Sequence, residues 1–417
     1  MTEEVMETYE IGAKEKTRWL SPGVAGIGLA SFLADVGHEI PTALMPGFFT
    51  STLGAPAAAL GLVEGLADGA AGLARLGGGA LSDDPERRRG IAAGGYASTA
   101  VLAALIGLTF ASWQAGLLRV GAWAARGFRV PARNALLADL VPPEACGRAF
   151  GFERAMDNLG AIVGPLLALA LVTAVGVRTA MLLSVIPGLL AAAAIVYAIR
   201  YLPRLTARQR QPIRLQVRPL LHGRLGRLML GVAAFELGNV AATLLILRAS
   251  RLLEPTSGQD TAMQMALGLY VLYNVAATVA SIPAGRMGDS RGSTMVLAAG
   301  VLFFFLAYVG LAIGPTDLVL LAICFGGAGV AIGCVETAQH ASVASLAPAE
   351  LRGSAFGLLA GIQGFGNLAA SAVAGLLWTL VSGGTAFLYL AAWMLVALAG
   401  VLAASISSER FSGRILG

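Results

Sequence analysis

The sequence predicts an all-α membrane protein whose twelve transmembrane helices form two six-helix bundles. Three observations support this fold class. Hydrophobic residues make up 57% of the 417 residues and charged residues only 13%, whereas soluble domains carry about 25% charged residues. Apolar stretches long enough to cross a bilayer recur along the chain, and its two halves repeat the same loop sequences. A soluble core could not bury so much apolar surface, so we expect lipid to surround much of the protein.

A bilayer core of about 30 Å takes about 20 apolar residues per helix, and polar or Gly/Pro-rich breaks divide the chain accordingly. The twelve predicted spans are 23–48, 55–79, 91–111, 114–139, 150–173, 178–199, 228–250, 262–284, 293–313, 317–341, 354–379 and 385–406. We expect an N-terminal segment at 1–22, bundles at 23–200 and 227–407, a basic linker at 201–226 and a tail at 408–417. The N-terminal segment is acidic, unlike the start of a signal peptide, so the first span is expected to stay in the membrane.

Lysine and arginine predict the orientation. Most lie in the segments that share one side with both termini, including Lys14, Lys16 and Arg18 before the first span and the arginines of the linker. The opposite side offers only Arg178, Arg248 and Arg251. Positively charged loops stay in the cytoplasm. We therefore expect a multi-pass protein of the cytoplasmic (inner) membrane with both termini cytoplasmic, whose formal net charge of +5 reflects topology rather than a nucleic-acid partner.

Two loop sequences occur once in each half of the chain. The segment that contains Gly79 and Asp83 recurs with Gly285 and Asp289, and Pro142–Gly151 recurs as Pro348–Gly357. Every pair is separated by 206 positions, so no insertion intervenes between the second and fifth helices of either half. This constant offset predicts two parallel repeats of six helices joined by the basic linker.

The repeated loop after helices 2 and 8 resembles the loop signature of the major facilitator superfamily, Gly-x-Leu-x-Asp-x-x-Gly-Arg-Arg. The matching residues are Gly79, Leu81, Asp83, Arg87 and Arg88, then Gly285, Met287, Asp289 and Gly292, with Glu86 replacing a glycine of the first copy. The resemblance implies the major facilitator fold and a latch on the cytoplasmic gate. An aspartate at this place can cap a neighbouring helix and pair with an arginine.

Helix 5 is similar to the antiporter signature of drug-exporting members, especially the tetracycline/proton antiporters. The matching residues are Gly151, Gly160, Gly164 and Pro165, whereas Ala168-Leu169 replaces an expected glycine pair. In helix 4, Arg119 lies about where the family places a membrane-embedded arginine tied to proton transfer. Ala122-Trp123 follows it in place of the usual Gln-Gly. The resemblance implies proton-coupled export and is silent on the substrate.

Charged residues inside the predicted spans occur on helices 1, 2, 4, 5, 7 and 10, so we expect these helices to line a central cavity and helices 3, 6, 9 and 12 to face lipid. Asp35, His38 and Glu39 share one face of helix 1 because of their i, i+3, i+4 spacing. The further candidates for proton coupling or substrate binding are Glu64, Asp68, Arg119, Arg126, Glu236, Glu336 and His340. Arg133 is expected to reach the cytoplasmic surface, and Gly61, Gly65 and Gly69 to form a helix contact seam.

These residues and the resemblance together favour a proton-coupled antiporter that exports a small molecule by alternating access. Crowded carboxylates beside an imidazole are suited to exchanging protons. The helix 1 cluster is therefore the predicted coupling site. We expect the protein to work as a monomer in the bilayer, without a cofactor.

Three other functions remain open. A divalent-metal exporter would use Asp35, His38, Glu39, Glu336 and His340 as mixed oxygen and nitrogen ligands. An organic-anion transporter would use the arginines of helix 4. A membrane receptor that moves nothing would keep the same fold. An enzyme is not expected, because the loops carry no nucleophile–base signature or phosphate loop.

Overall fold

The computed structural model describes residues 19–202 and 217–412, and neither described segment contains a β-strand. Twelve helical spans coincide with the twelve predicted ones, which confirms the fold class. In chain order they are α1 Pro22–Gly47, α2 Ala57–Leu81, α3 Pro85–Leu105, α4 Ser112–Leu140, α5 Cys146–Val175, α6 Val177–Leu183 with Val185–Ile199, α7 Gly223–Glu236 with Ala242–Ser257, α8 Gln259–Arg291, α9 Ser293–Ile313, α10 Leu318–Leu346, α11 Arg352–Leu380 and α12 Gly383–Ser412.

The predicted linker and both terminal segments lie largely outside the described residues. So do eight of the basic residues on which the orientation rests, namely Lys14, Lys16, Arg18, Arg204, Arg208, Arg210, Arg214 and Arg414. The boundaries 1–22, 201–226 and 408–417 therefore stay predictions.

Eight helices within the described residues are long and apolar enough to cross a membrane. The four spans outside this set are α1, α2, α4 and α7. The first three carry several ionisable side chains, and α7 is divided into segments of 14 and 16 residues. The interruption of α7 at Leu237–Ala241 leaves polar groups inside the span. The least apolar helices are thus those that carry most of the candidate site residues.

The main packing between the two bundles joins α2 to α11 and α5 to α8. Helices α3, α6, α9 and α12 take part in neither contact, in agreement with the outer position expected for them. At one end an apolar core is shared by both bundles, with Phe150 of α5 and Phe356 of α11 at a ring separation of 5.6 Å. This end also carries Asp83 and Asp289, and we refer to it as the latch end.

Away from the latch end, α2 and α11 diverge. A Cβ atom on Gly79 would lie 2.7 Å from the carbonyl oxygen of Gly353, and one on Gly72 would lie 3.6 Å from Phe365. Gly69 and Gly65 continue the same face of α2, yet a Cβ atom on either would meet nothing within 4 Å. The predicted glycine seam is therefore wrong for this conformation, and a cleft opens between the bundles instead.

Candidate functional site

At the latch end, two aspartates each cap a helix of the other bundle. Asp83 follows α2, and its carboxylate accepts the backbone N–H of Ser354 at 2.8 Å and the hydroxyl of Ser354 at 2.5 Å. Asp289, near the end of α8, accepts the N–H groups of Gly147 and Arg148 at 2.6 and 3.0 Å, and Nε of Arg148 at 2.7 Å. Carboxylates at helix N-termini satisfy free N–H groups and interact favourably with the helix dipole. Both copies of the loop motif thus join the bundles.

The ionisation of Asp83 depends on this contact. Burial raises the pKa of the Asp83 carboxyl, while the hydrogen bonds from Ser354 lower it. The donors at the start of α11 therefore stabilise the charged form of Asp83 in the closed latch.

The glycines of the loop motif allow the bundles to approach each other. Gly79 packs on the backbone of Gly353, and a Cβ atom on Gly285 would overlap the carbonyl group of Gly147. Gly292 has a φ of 93° and ends α8 in a conformation that other residues rarely adopt. The motif glycines therefore serve close packing and a turn.

Arg87, by contrast, takes no part in the latch. It forms an ion pair with Asp84 at 3.5 Å on the surface. The neighbouring Arg88 is buried, donates to the carbonyl oxygen of Ser82 at 2.7 Å and pairs with Asp139 of α4. Asp139 also pairs with Arg352 of α11 at 2.6 Å, which makes a third polar contact between the bundles. Asp139 carries no signal in the sequence, because only the fold brings it near two arginines.

Seven of the ten predicted site residues form one polar group on α1, α2 and α4, which we call the central cluster. Its members are Asp35, His38, Glu39, Glu64, Asp68, Arg119 and Arg126, together with Trp123. Asp35 pairs with Arg126 at 3.3 Å, Arg126 contacts Nε2 of His38, and Nδ1 of His38 lies 3.3 Å from Glu39. Arg126 of α4 thus contacts the Asp35 carboxylate of α1 directly and is linked to the Glu39 carboxylate through His38.

Trp123 links the two parts of the central cluster. Its ring stacks on the His38 ring at 4.4 Å, and its Nε1–H donates to Asp68 at 3.1 Å. The guanidinium of Arg119 lies 3.3 Å from the centre of the same ring and pairs with Glu64 at 2.9 Å. An arginine over a tryptophan face is held by a cation–π interaction. Trp123, which departs from the family pattern, therefore positions the carboxylate of Asp68 and the guanidinium of Arg119.

A second group, the interface cluster, crosses from α4 and α5 to α10. Arg133 pairs with Glu153 at 2.7 Å and with Asp157 at 3.4 Å. Arg154 pairs with Glu153 at 2.7 Å, with Asp157 at 3.3 Å, and with Glu336 of the second bundle at 3.7 Å. Arg133 is buried, so the prediction that it reaches the membrane surface is wrong, because its two carboxylate partners hold it inside the bundle.

The glycines of the helix 5 motif place α5 directly against the central cluster. A Cβ atom on Gly160 would lie 2.9 Å from Cβ of Asp35, and one on Gly164 would lie 2.5 Å from Cβ of Glu39. Gly151 instead packs on Ser281 of α8, at the contact between the bundles. Pro165 follows within α5. The motif therefore fixes the distance between α5 and the acidic face of α1.

Glu236 of α7 has a different environment. It is buried and accepts hydrogen bonds from the side-chain amides of Asn239 at 2.9 Å and Gln339 at 3.4 Å. Gln339 in turn accepts from Gln363 at 2.8 Å. No lysine, arginine or histidine of the described residues pairs with Glu236. Its position resembles that of Asp35, because a Cβ atom on Gly366, the repeat counterpart of Gly160, would lie 2.5 Å from Cβ of Glu236.

The structure does not bring the five proposed metal ligands together. The His340 ring packs beside the rings of Phe150 and Phe356, at 5.8 and 6.2 Å, and its Nδ1 contacts the backbone oxygen of Glu336 at 2.7 Å, while the Glu336 carboxylate pairs with Arg154. His38 belongs to the central cluster. Within residues 19–202 and 217–412, no three His, Cys, Asp or Glu side chains converge on a point that could hold a metal ion.

Comparison with known proteins agrees with this architecture. The family model of the Major Facilitator Superfamily matches residues 27–251 and 240–411. The chain therefore belongs to the Major Facilitator Superfamily and is a multi-pass membrane transporter rather than an enzyme.

An uncharacterized MFS-type transporter of Methanocaldococcus jannaschii is 29% identical over 384 residues, which cover 90% of this chain and 93% of that protein. A bacterial homologue of the iron transporter ferroportin in an outward-facing state has a TM-score of 0.72 at 16% identity and covers 92% of this chain and 99% of its own. The human organic anion transporter MFSD10 (TETRAN) has a TM-score of 0.69 at 17% identity and covers 91% and 99%. These two structural likenesses show the fold.

Proposed function

We propose that this transporter is a proton-coupled antiporter that exports a small molecule by alternating access. The observation that carries the proposal is the carboxyl of Glu236, which is buried beside amide donors and has no cationic partner among the described residues. A buried charge without a partner costs several kcal/mol. The counter-charge that this site lacks is a proton or a cationic substrate, and exchange between the two is the chemistry of an antiporter.

Alternating access is supported by the contrast between the two ends of the cleft. The latch end is closed by the caps of Asp83 and Asp289 and by the Asp139–Arg352 ion pair. The other end of the cleft opens from Gly69 outwards. Rocking of two six-helix bundles about a central site would exchange these states. The pairs of the interface cluster that reach Glu336 would have to separate in that motion.

We propose that the latch end faces the cytoplasm of a bacterial or archaeal cell, so that this conformation is the outward-facing one. The opposite end carries only three arginines, which do not offset the larger number of arginines in the latch-end loops. Arg178 donates to the carbonyl oxygens of Gly107 and Thr109, and Arg248 donates to those of Leu311 and Ala312. Both arginines therefore stabilise the local backbone. The arginines of the latch-end loops instead follow the positive-inside pattern, in which basic loops stay in the cytoplasm. One chain contains both walls of the cleft, so we propose a monomer.

The central cluster supplies the second set of exchangeable charges. Asp35 and Glu39 share Arg126 and His38 as neighbours, and the side chains of Arg126 and Glu39 are 26% and 24% exposed. A substrate that entered the cleft would meet these half-buried groups. We propose that the α1 acids and Glu236, which occupy similar places in the two bundles, act together in coupling.

A comparison of two glutamates tests the proton-coupling proposal. Glu236→Gln removes the titratable group and nearly keeps its shape, and Glu254→Gln makes the same change at a surface ion pair with Arg251. In reconstituted vesicles with an internal pH dye, substrate-driven proton movement is expected to be lost in Glu236→Gln and kept in Glu254→Gln. Wild-type proton movement in Glu236→Gln would reject Glu236 as a coupling group.

An organic anion is the second candidate substrate, and one observation favours it. Arg75 of α2 has no carboxylate partner among the described residues and donates only to the carbonyl oxygen of Ala360 at 3.4 Å. A guanidinium can hold a carboxylate with two hydrogen bonds. The structurally similar human MFSD10 is an organic anion transporter. Divalent-metal export has the support of the fold shared with the ferroportin homologue, but the proposed ligands do not converge in this conformation.

A further inference from the structure

A narrow cavity lies inside the first bundle, on the side of α1 that faces α3 and α6. Its volume is about 10 Å³, which is room for one water-sized particle. The polar residues that line it are His38, Tyr96, Thr99 and Arg129. Gly37 of α1 and Gly188 of α6 form part of the remaining wall, so the cavity is separate from the cleft between the bundles.

Arg129 is the exception among the arginines of α4. Arg119, Arg126 and Arg133 each pair with a carboxylate. Arg129 is buried and has neither a hydrogen bond nor an ion pair within the described residues; its guanidinium lies 4.0 Å from the centre of the Tyr96 ring. Arginine stays protonated in proteins. A permanent charge is therefore buried beside the cavity with no carboxylate at ion-pair distance among the described residues, and the nearby Asp35 forms its ion pair with Arg126 instead.

The remaining polar groups of the cavity wall include a free donor. The hydroxyl of Tyr96 is buried and has no hydrogen-bond partner among the described residues, and a buried hydroxyl without a partner destabilises the fold. The hydroxyl of Thr99 already donates to the carbonyl oxygen of Gly95 at 2.7 Å. The cavity wall thus carries a cation, the Arg129 guanidinium, and an O–H donor without an acceptor, the Tyr96 hydroxyl.

We propose that this cavity binds a single monatomic anion of the halide class. Its size admits one small particle and excludes sulfate or phosphate. A water molecule would accept the Tyr96 hydrogen bond but would leave the charge of Arg129 without a partner, whereas a halide accepts from the hydroxyl and balances the guanidinium. The bound anion would hold α3 and α4 together behind the central cluster. This inference does not depend on the direction or the coupling of transport.

Anomalous scattering locates the anion directly. In crystals of the full chain grown in sodium bromide, a bromine peak is expected between Arg129 and the Tyr96 hydroxyl. Density at that point without anomalous signal, which means water only, overturns the proposal. So does an empty cavity.

Thermal unfolding in detergent tests the same site in solution, with chloride exchanged for gluconate at constant ionic strength. Chloride at about ten times its dissociation constant is expected to raise the melting temperature by about 2 °C. Tyr96→Phe keeps the ring under Arg129 and is expected to lose most of this increase. Tyr308→Phe, in the second bundle, removes a buried tyrosine hydroxyl that likewise has no hydrogen-bond partner among the described residues, and this variant is expected to keep the increase in melting temperature. Equal melting in chloride and gluconate, or equal chloride responses of the two variants, overturns the proposal.

Discussion

The latch at Asp83 allows a quantitative prediction. Asp83→Asn keeps the shape of the side chain and one acceptor oxygen but removes the charge that faces the start of α11. The Ser354 N–H then donates to a neutral amide oxygen, and the Ser354 hydroxyl, which donated to the other carboxylate oxygen, has to turn and accept from the amide NH2 group; each change weakens its contact by about 1 kcal/mol. The loss of about 2 kcal/mol corresponds to about a 30-fold shift in the ratio of closed to open latch.

Spin-label distances measure this shift. Glu86 and Ala349 are exposed on opposite bundles at the latch end, and Glu86 and Glu144 are exposed on the same bundle. After replacement of the three native cysteines, labels at the first pair are expected to show a longer distance population in Asp83→Asn. Labels at the second pair are expected to keep their distance, because they move as one body.

Asp84 provides a matched control for the charge change. Its carboxylate accepts the N–H of Glu86 at 3.0 Å and caps α3 of its own bundle. Asp84→Asn is therefore expected to leave the distance between bundles unchanged. If Asp83→Asn and Asp84→Asn give the same distances as the unmodified protein, the latch does not hold the bundles together.

Three further predictions follow from contacts of named residues. Gly164→Ala would push against Cβ of Glu39 and is expected to lower stability by about 1–3 kcal/mol and to impair transport, whereas Gly65→Ala, which meets open space, should be tolerated in both assays. Arg133→Met is expected to cost about 3 kcal/mol in denaturant unfolding because it leaves Glu153 and Asp157, two carboxylates, with Arg154 alone, and Arg87→Met on the surface less than about 1 kcal/mol. Arg352→Met should lengthen the distance between the labels on the two bundles less than Asp83→Asn does, since Asp139 keeps Arg88 and the lost ion pair is partly exposed. If the two glycine variants, or Arg133→Met and Arg87→Met, have equal effects, the contact assigned to the first residue of that pair is wrong. If Arg352→Met lengthens the label distance more than Asp83→Asn does, the relative strength assigned to these two contacts is wrong.

The helices and the latch could be predicted because their signals are local or repeated. Spans of about 20 apolar residues need no knowledge of their neighbours. The caps of Asp83 and Asp289 follow from two copies of one loop at a fixed offset. The shared face of Asp35, His38 and Glu39 follows from helical spacing alone.

The partners of these residues could not be predicted, because they come from other helices. Arg133 has the sequence position of a residue that reaches the membrane surface, and only the packing of α5 against α4 supplies Glu153 as its partner. Trp123 stood in the sequence as a departure from a motif, and its contact with His38 depends on the approach of α1 to α4. Arg87 and Arg88 are neighbours in one basic run, and their different burial is decided by the rotation of α3.

The most direct test of the proposed antiport is proton release on substrate binding. A thermal-shift screen of organic anions, organic cations and divalent metals first identifies a ligand that stabilises the protein. That ligand is then added to the purified protein in weakly buffered detergent with a pH dye. Antiport through a shared site predicts that binding releases protons and that Glu236→Gln releases fewer than the unmodified protein. Binding without proton release, or with proton uptake, would contradict the account.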